Sequence, residues 1–297
     1  MSHTTSTELV IRQRLNALTR SLPGAQQGDA AQLHQARVAT RRLREALPVI
    51  ATGSRGRKLV RDVRRLTRAL GPVRELDVAL VTLEELAAEG QLPAAAISKL
   101  RQVIRHDRRR RHGEMRRELT RVDLDKLRTR TAAAARRGES AAGRRTRDPK
   151  QLADARRRAA RRADRLRQAI ENAAGIYLPD RLHAVRIAVK KLRYAMELAR
   201  ELSGSRAVAR LRTLNDVQDL LGRMNDLEVL IARVRALQGS GEVTDLRLSS
   251  NLDRIVRRLE TECRQLHGHY MASRPRLVAI CDHASAAAIK GNDVRAA

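Results

Sequence analysis

Leu33 to Leu47 reads L-H-Q-A-R-V-A-T-R-R-L-R-E-A-L, and Leu182 to Glu197 reads L-H-A-V-R-I-A-V-K-K-L-R-Y-A-M-E. Each has a histidine followed by basic residues at one spacing, H-x-x-R-x-x-x-[RK]-[RK]-x-R. At 100° per residue, Arg37, Arg41 and Arg44 fall with His34 inside an arc of about 80°. Leu33, Ala36, Ala39, Leu43 and Leu47 occupy a separate apolar arc. His183, Arg186, Lys190 and Arg193 repeat the basic arc, and Leu182, Val185, Val189, Leu192 and Met196 the apolar one. The pattern predicts two amphipathic helices whose basic stripe flanks the buried stripe. A flank of that kind lines a groove between packed helices.

The duplication extends beyond these helices. Leu70 to Asp77, L-G-P-V-R-E-L-D, matches Leu221 to Glu228, L-G-R-M-N-D-L-E. An amphipathic segment opens each half, near Thr7–Arg20 and Gln151–Ala174, and a long one closes it, near Ala94–Arg121 and Thr244–Met271. Two helical bundles related by approximate two-fold symmetry follow from a repeat of this length. No run alternates β-branched residues. Breakers at S-L-P-G, T-G-S-R-G, L-G-P, Y-L-P-D and Q-G-S-G-E divide the chain into segments of helix length. The expected division is a first bundle over 1–127, a basic Ala/Arg/Gly linker over 128–150, a second bundle over 151–272 and a weakly patterned tail over 273–297. Leu-Gly in each L-G-x-x-[RN]-[DE]-L-[DE] segment reads as a helix C-cap. Its carboxylates would then lie in the first turn of the next helix.

Composition limits the partners. The 297 residues hold 62 basic and 33 acidic side chains, a net charge of +29. Such a surplus repels itself in the folded state and points to a polyanionic partner. Half one, through Lys150, carries 34 basic against 16 acidic residues, and half two 28 against 17. With no Phe or Trp and three Tyr, the core must be aliphatic, which suits packed helices. Two cysteines make no disulfide framework. The N-terminus lacks the pattern of a signal peptide, and no stretch is long and apolar enough to span a bilayer. A cytoplasmic protein is expected, and the Arg and Ala abundance suggests a GC-rich bacterial genome.

Like charges at i, i+3 and i+7 destabilise a free helix by a few tenths of a kcal/mol per pair. Clustering them is costly unless an anion fills the space between. Arginine offers a planar fork for two phosphate oxygens and lysine a point charge. Steps of three or four residues set donors roughly 5 Å apart, a ladder that can follow a row of phosphates. Arg57, Arg61, Arg64 and Arg68 form a further stripe within about 60°, opposite Leu59, Val63, Leu66 and Leu70. A bland reading weighs against each stripe taken singly, because an Arg-rich face is most often solvated surface. Its repetition with the histidine in place favours a site.

These motifs, from about Thr7 to Met271, resemble the CHAD family, the conserved histidine α-helical domain. The resemblance implies an all-α fold of two pseudo-symmetric antiparallel four-helix bundles with a shared basic groove or cavity. It implies non-catalytic binding of inorganic polyphosphate and, in several bacterial members, association with polyphosphate granules. By position it implies ligand contacts from His34, Arg37, Arg41, Arg42 and Arg44, and from His183, Arg186, Lys190, Lys191 and Arg193. The second-helix basics Arg57, Arg61, Arg64 and Arg68 would add to half one, and Arg212 stands where Arg61 does. Arg64 and Arg68, however, correspond to Asn215 and Asp219, so the polyphosphate is expected to favour half one. Arg74 either reaches the ligand or pairs with Asp77.

Other chemistry is weaker. Cys263 and His267 are i, i+4 on a helix, compatible with a metal, but buried reduced cysteines are the better reading, and no metal or other cofactor is expected. There is no G-x-x-x-x-G-K-[ST] loop, no nucleophile elbow and no E-x-E-x-K signature, so an enzyme is not expected. Nonspecific nucleic-acid binding is the alternative that charge permits, against which stands the lack of stacking aromatics. A granule-associated scaffold is a third reading.

Overall fold

Residues 6–50, 53–123, 125–131, 133, 149–205, 208–243 and 245–293 are described by the computed structural model, and among them there is no strand. Eight long helices succeed one another. In the first half they are α1 (Ser6–Gln27), α2 (Ala30–Ile50), α3 (Gly53–Ala88) and α4 (Ala94–Thr120). The second half holds α5 (Pro149–Ala173), α6 (Pro179–Ser203), α7 (Ala209–Gln238) and α8 (Leu246–Asp293). The basic linker read over 128–150 lies mostly outside the described residues, although 125–131 is helical and buries Leu127 and Thr131.

In each half the four helices pack in sequence order and the first closes on the last. The halves meet through α2 against α6 and α3 against α7, and α4 also touches α8. The chain is therefore an all-α helical bundle packing, as expected.

Three apolar clusters hold it together. One lies under α1, α2 and the first part of α3, and reaches across to Ala155, Leu198 and Leu202 of the second half. Another lies under α5, α6, the first part of α7 and the far end of α8. The third is common to both halves: Leu76, Leu83 and Leu86 of α3 and Leu100 of α4 pack with Leu227, Leu230 and Val234 of α7 and Leu252 and Leu259 of α8.

This arrangement overturns the reading of Leu-Gly as a helix end. Gly71 and Pro72 lie inside α3, and Gly222 lies inside α7. An interior proline costs about 3 kcal/mol and a glycine about 1. Leu66, Leu70, Val73 and Leu76 around the break are each at most 1% exposed, and each such side chain contributes about 1.5–3 kcal/mol. Burial outweighs propensity. The break also marks a junction, since Leu70 and Val73 belong to the first cluster and Leu76 to the common one. The carboxylates that were expected in a first turn are mid-helix.

Two further breakers yield in the same way. S-L-P-G lies inside α1, which ends instead at Gly28. Gly28 has φ +94°, a left-handed conformation that glycine adopts without strain. Asp29 then caps α2, its Oδ1 accepting from the amides of Ala31 at 2.8 Å and Gln32 at 2.9 Å. Past Arg274, where the sequence looks weakly patterned, α8 continues through Pro275 and buries Leu277, Ile280, Cys281 and Ala284.

Candidate functional site

The apolar faces of α2 and α6 fix where their basic edges point. Leu33, Ala36, Ala39, Leu43 and Leu47 are at most 3% exposed, as are Val185, Val189 and Leu192 on α6. With those stripes seated in the core, the flanking edges turn toward each other across the junction of the halves. They enclose a cleft of about 1170 Å³. From α2 it is lined by His34, Arg37, Arg41 and Arg44, and from α6 by His183, Arg186, Lys190 and Lys191. Arg74 of α3 and Arg223, Asn225 and Asp226 of α7 add to the basic and polar lining, which also includes the carboxylates Glu45, Glu75, Asp180, Asp219 and Glu228.

The cations of the two edges are crowded and partly buried. Burial, then Arg41, Arg74 and Arg186, bring Arg37 down to about 10. Lys190 is lowered to about 6, by burial first and then by Arg186, Arg41 and Arg37, with Asp226 opposing. Burial, followed by Arg74, also lowers His34. Arg186, Arg44 and Lys191 are lowered too, each chiefly by burial. Asp226, 3.9 Å from Arg186, is itself raised by burial. Groups whose charged forms are penalised by desolvation and by like neighbours gain most from an anion between them.

Arg37 is partly anchored, its Nη1 donating to the carbonyl of Gly71 at 2.6 Å, beside Pro72. The repeated segment thus meets the repeated stripe. In the second half His183 Nδ1 lies 2.6 Å from Asn225 Oδ1. Asp77 does not pair with Arg74; its Oδ1 accepts from Arg108 Nε at 2.5 Å. Arg74 is left in the cleft. Glu228, the residue equivalent to Asp77, accepts from the Tyr177 hydroxyl.

Several residues singled out from the sequence are not brought to the cleft. Arg193 is 8% exposed. Its Nη1 donates to Glu197 Oε1 at 2.5 Å and its Nε to Gln218 Oε1 at 2.9 Å, and its guanidinium lies over the Tyr194 ring. Arg42 reaches the same carboxylate at 3.3 Å. Arg42 therefore ties α2 to α6, and Arg193 ties α6 to α7. Arg57, Arg61, Arg68 and Arg212 are on exposed helix surface, and so is Arg64, which acts electrostatically on Arg44 at the rim. The half-one second-helix wall thus contributes Arg74 in place of that stripe.

Sequence patterning did not single out Arg223, which replaces the helix-breaking Pro72 at the equivalent position, or Arg162 and Arg165 of α5. Arg162 bonds Glu45 at 2.9 Å, and both act electrostatically on Lys191. The H-x-x-R pattern offered no signal for them, because they sit on the opening helix of half two. Cys263 and Cys281 are buried thiols, both raised to about 11, chiefly by burial. Among the described residues, no group of three or more His, Cys, Asp or Glu is placed to hold a metal ion, and no helix is long and apolar enough to cross a membrane.

Comparison with solved structures gives matches of similar fold, among them these two. One is the crystal structure of the CHAD domain from the plant Ricinus communis, at TM-score 0.67 and 20% identity over 92% of this chain and 93% of that one. The other is PptA from Streptomyces chartreusis, at TM-score 0.58 and 16% identity over 91% of this chain and 98% of that one. A search among curated proteins returned no match. The profile of the CHAD domain matches residues 9–235, and the chain belongs to the CHAD domain family.

Proposed function

We propose that the chain binds inorganic polyphosphate, without catalysis, in the cleft between α2 and α6. The observation that carries this is the convergence of the repeated cationic edges, matched at His34/His183, Arg37/Arg186 and Arg41/Lys190 and joined by Arg44 and Lys191, on a single cleft. His34 and Arg44 are ten residues apart on α2, about 15 Å of helix, so a linear anion can run along the edge and meet a donor at each turn. The crowding that holds Lys190 near 6 and lowers Arg37 favours a ligand of high charge density. The two halves act as pseudo-symmetric four-helix bundles around the ligand, and the setting we propose is a bacterial cytoplasm, at polyphosphate granules.

Competition tests it. Labelled long-chain polyphosphate is bound at moderate salt and challenged with unlabelled polyphosphate or duplex DNA at equal phosphate concentration. Polyphosphate should displace the label at far lower concentration. Equal or better displacement by DNA would hand the site to nucleic acid, and no binding of either polymer would leave a scaffold.

A further inference from the structure

Besides the exposed basic stripe of α3, a second strongly basic exposed helix face outside the cleft belongs to α4. From Arg105 to Arg117 it reads R-H-D-R-R-R-R-H-G-E-M-R-R. At 100° per residue, Arg105, Arg116, Arg109, Gly113, His106, Arg117 and Arg110 fill an arc of about 140° with no acidic residue in it. All of them but Gly113 are exposed. The acids Asp107 and Glu114 fall together on the side toward α7 and are already matched. Arg233 reaches Asp107 at 3.4 Å, and Arg111 reaches Glu114 at 2.8 Å. Arg110 has a long contact of 3.6 Å to Asp107, while Arg105, Arg109, Arg116 and Arg117 form no ion pair among the described residues.

The α7-facing side of α4, next to this basic face, is linked to the cleft lining. Arg233 links Asp107 to Glu75 at 3.3 Å, and Glu75 lines the cleft beside Arg74. Arg105 to Arg117 spans about 18 Å of helix, comparable with the basic edge of α2. The second half has no counterpart, because α8 carries its arginines singly or in pairs among acids.

We propose that the outer face of α4 binds a second segment of the same phosphate chain, so that a chain longer than the cleft is held at two places at once. The inference rests on polyphosphate being the ligand of the cleft. Charge complementarity and adjacency to the cleft select this occupant, and the shortage of aromatic side chains disfavours a stacked single-stranded nucleic acid. Tethering through the chain makes the second contact intramolecular, so it adds affinity for long chains only. Each phosphate neutralised also releases counterions, which steepens the salt dependence for long chains.

The test uses the full chain, the triple variant Arg109→Gln/Arg110→Gln/Arg117→Gln and the cleft variant Arg41→Gln. Tripolyphosphate and long-chain polyphosphate are titrated over a series of salt concentrations. The triple variant should keep tripolyphosphate affinity within about twofold and lose about tenfold or more for the long chain. Its long-chain salt slope should flatten toward the tripolyphosphate value, and Arg41→Gln should weaken both ligands. Unchanged long-chain affinity in the triple variant overturns the inference, and so does an equal loss for both ligands. If long-chain affinity is unchanged while duplex DNA binding is lost, the face belongs to nucleic acid. Failure of the cleft itself reads differently: Arg41→Gln would leave both ligands unaffected, whatever the α4 variant does.

Discussion

His183 Nδ1 and Asn225 Oδ1 lie 2.6 Å apart, whereas the largest charged influence on the equivalent histidine, His34, is Arg74. Asn225 and Arg74 occupy the same position of the repeated segment. At this position the two ends of the cleft therefore differ by one cation and by one histidine hydrogen bond. Asn225→Arg should give half two the arrangement of half one and tighten polyphosphate binding several-fold. It should also steepen log affinity against log salt by about 0.7, the increment for one added contact to a single phosphate strand. Arg74→Asn should do the opposite. Isothermal titration across a salt series measures both, and shifts of the same sign in the two variants would remove the cleft ends from the binding site.

Lys190 should make binding proton-linked. Its pKa is held at about 6 in the empty cleft, so the amine is largely neutral at pH 7.5. A bound polyanion restores the charged form, and binding then takes up a proton. Affinity should rise as pH falls from the ordinary lysine range, about 10, toward 6, and level off below. Calorimetry in two buffers of different ionisation enthalpy counts the proton at pH 7.5. Lys190→Arg stays charged and should abolish that uptake while retaining binding.

The same group links pH to stability without ligand. In the unfolded chain Lys190 keeps its proton up to about pH 10, while the folded one releases it above about 6. The unfolded state therefore binds more protons between those limits. Stability contributed by this site should rise with pH across that window, by roughly 1 kcal/mol per pH unit, and be lost as pH falls toward 6. Urea melts of the parent and of Lys190→Met at a series of pH values isolate the contribution. A variant with the parent's slope would assign the pH dependence to other groups.

The α2 and α6 edges were legible because a 3.6-residue period fixes which side chains share a face, and because the pattern occurs twice. The ends of α3 and α7 were not. Gly71, Pro72 and Gly222 carry local signals for a break, but Leu70 and Leu76 are buried in different clusters on either side, and local patterning does not register a helix shared by two cores. Angular position also failed to separate Arg44 from Arg193, which match in the repeat. Arg44 stays in the cleft. Arg193 turns inward because Glu197 stands one helical turn on, where the first half has Pro48. The contribution of Arg162 required knowing that α5 packs beside α6.

Arg41 and Arg57 distinguish the cleft from the exposed stripe. Both are helical arginines one turn from another arginine, but Arg41 lines the cleft and Arg57 lies on exposed α3 surface. Charge-assisted hydrogen bonds are worth about 1.5–3 kcal/mol each, and reversal adds repulsion. Arg41→Glu should therefore weaken short-chain polyphosphate binding by about a hundredfold, which is about 2.7 kcal/mol. Arg57→Glu should change it by less than about twofold at physiological salt, where charges more than about 8 Å apart are screened. Equal losses in the two variants would mean that affinity follows net charge and no particular site.

Glu197 should be a stability residue with no part in binding. It is 8% exposed and accepts from both Arg193, itself 8% exposed, and Arg42. Removing one partner of a buried ion pair leaves the other charge uncompensated, at a cost of about 3–5 kcal/mol. Arg42 is 43% exposed and adds little, since solvent screens its share. Glu197→Gln should thus lower Tm by roughly 6–12 °C, taking about 3 kcal/mol and 2–4 °C per kcal/mol. Arg42→Gln should lower it by only a few degrees. Because Arg193 is turned from the cleft into this network, polyphosphate affinity of the folded Glu197→Gln protein should match the parent at 20 °C. A gain in affinity would show that the carboxylate had been withholding Arg193 from the ligand and would return that arginine to the site.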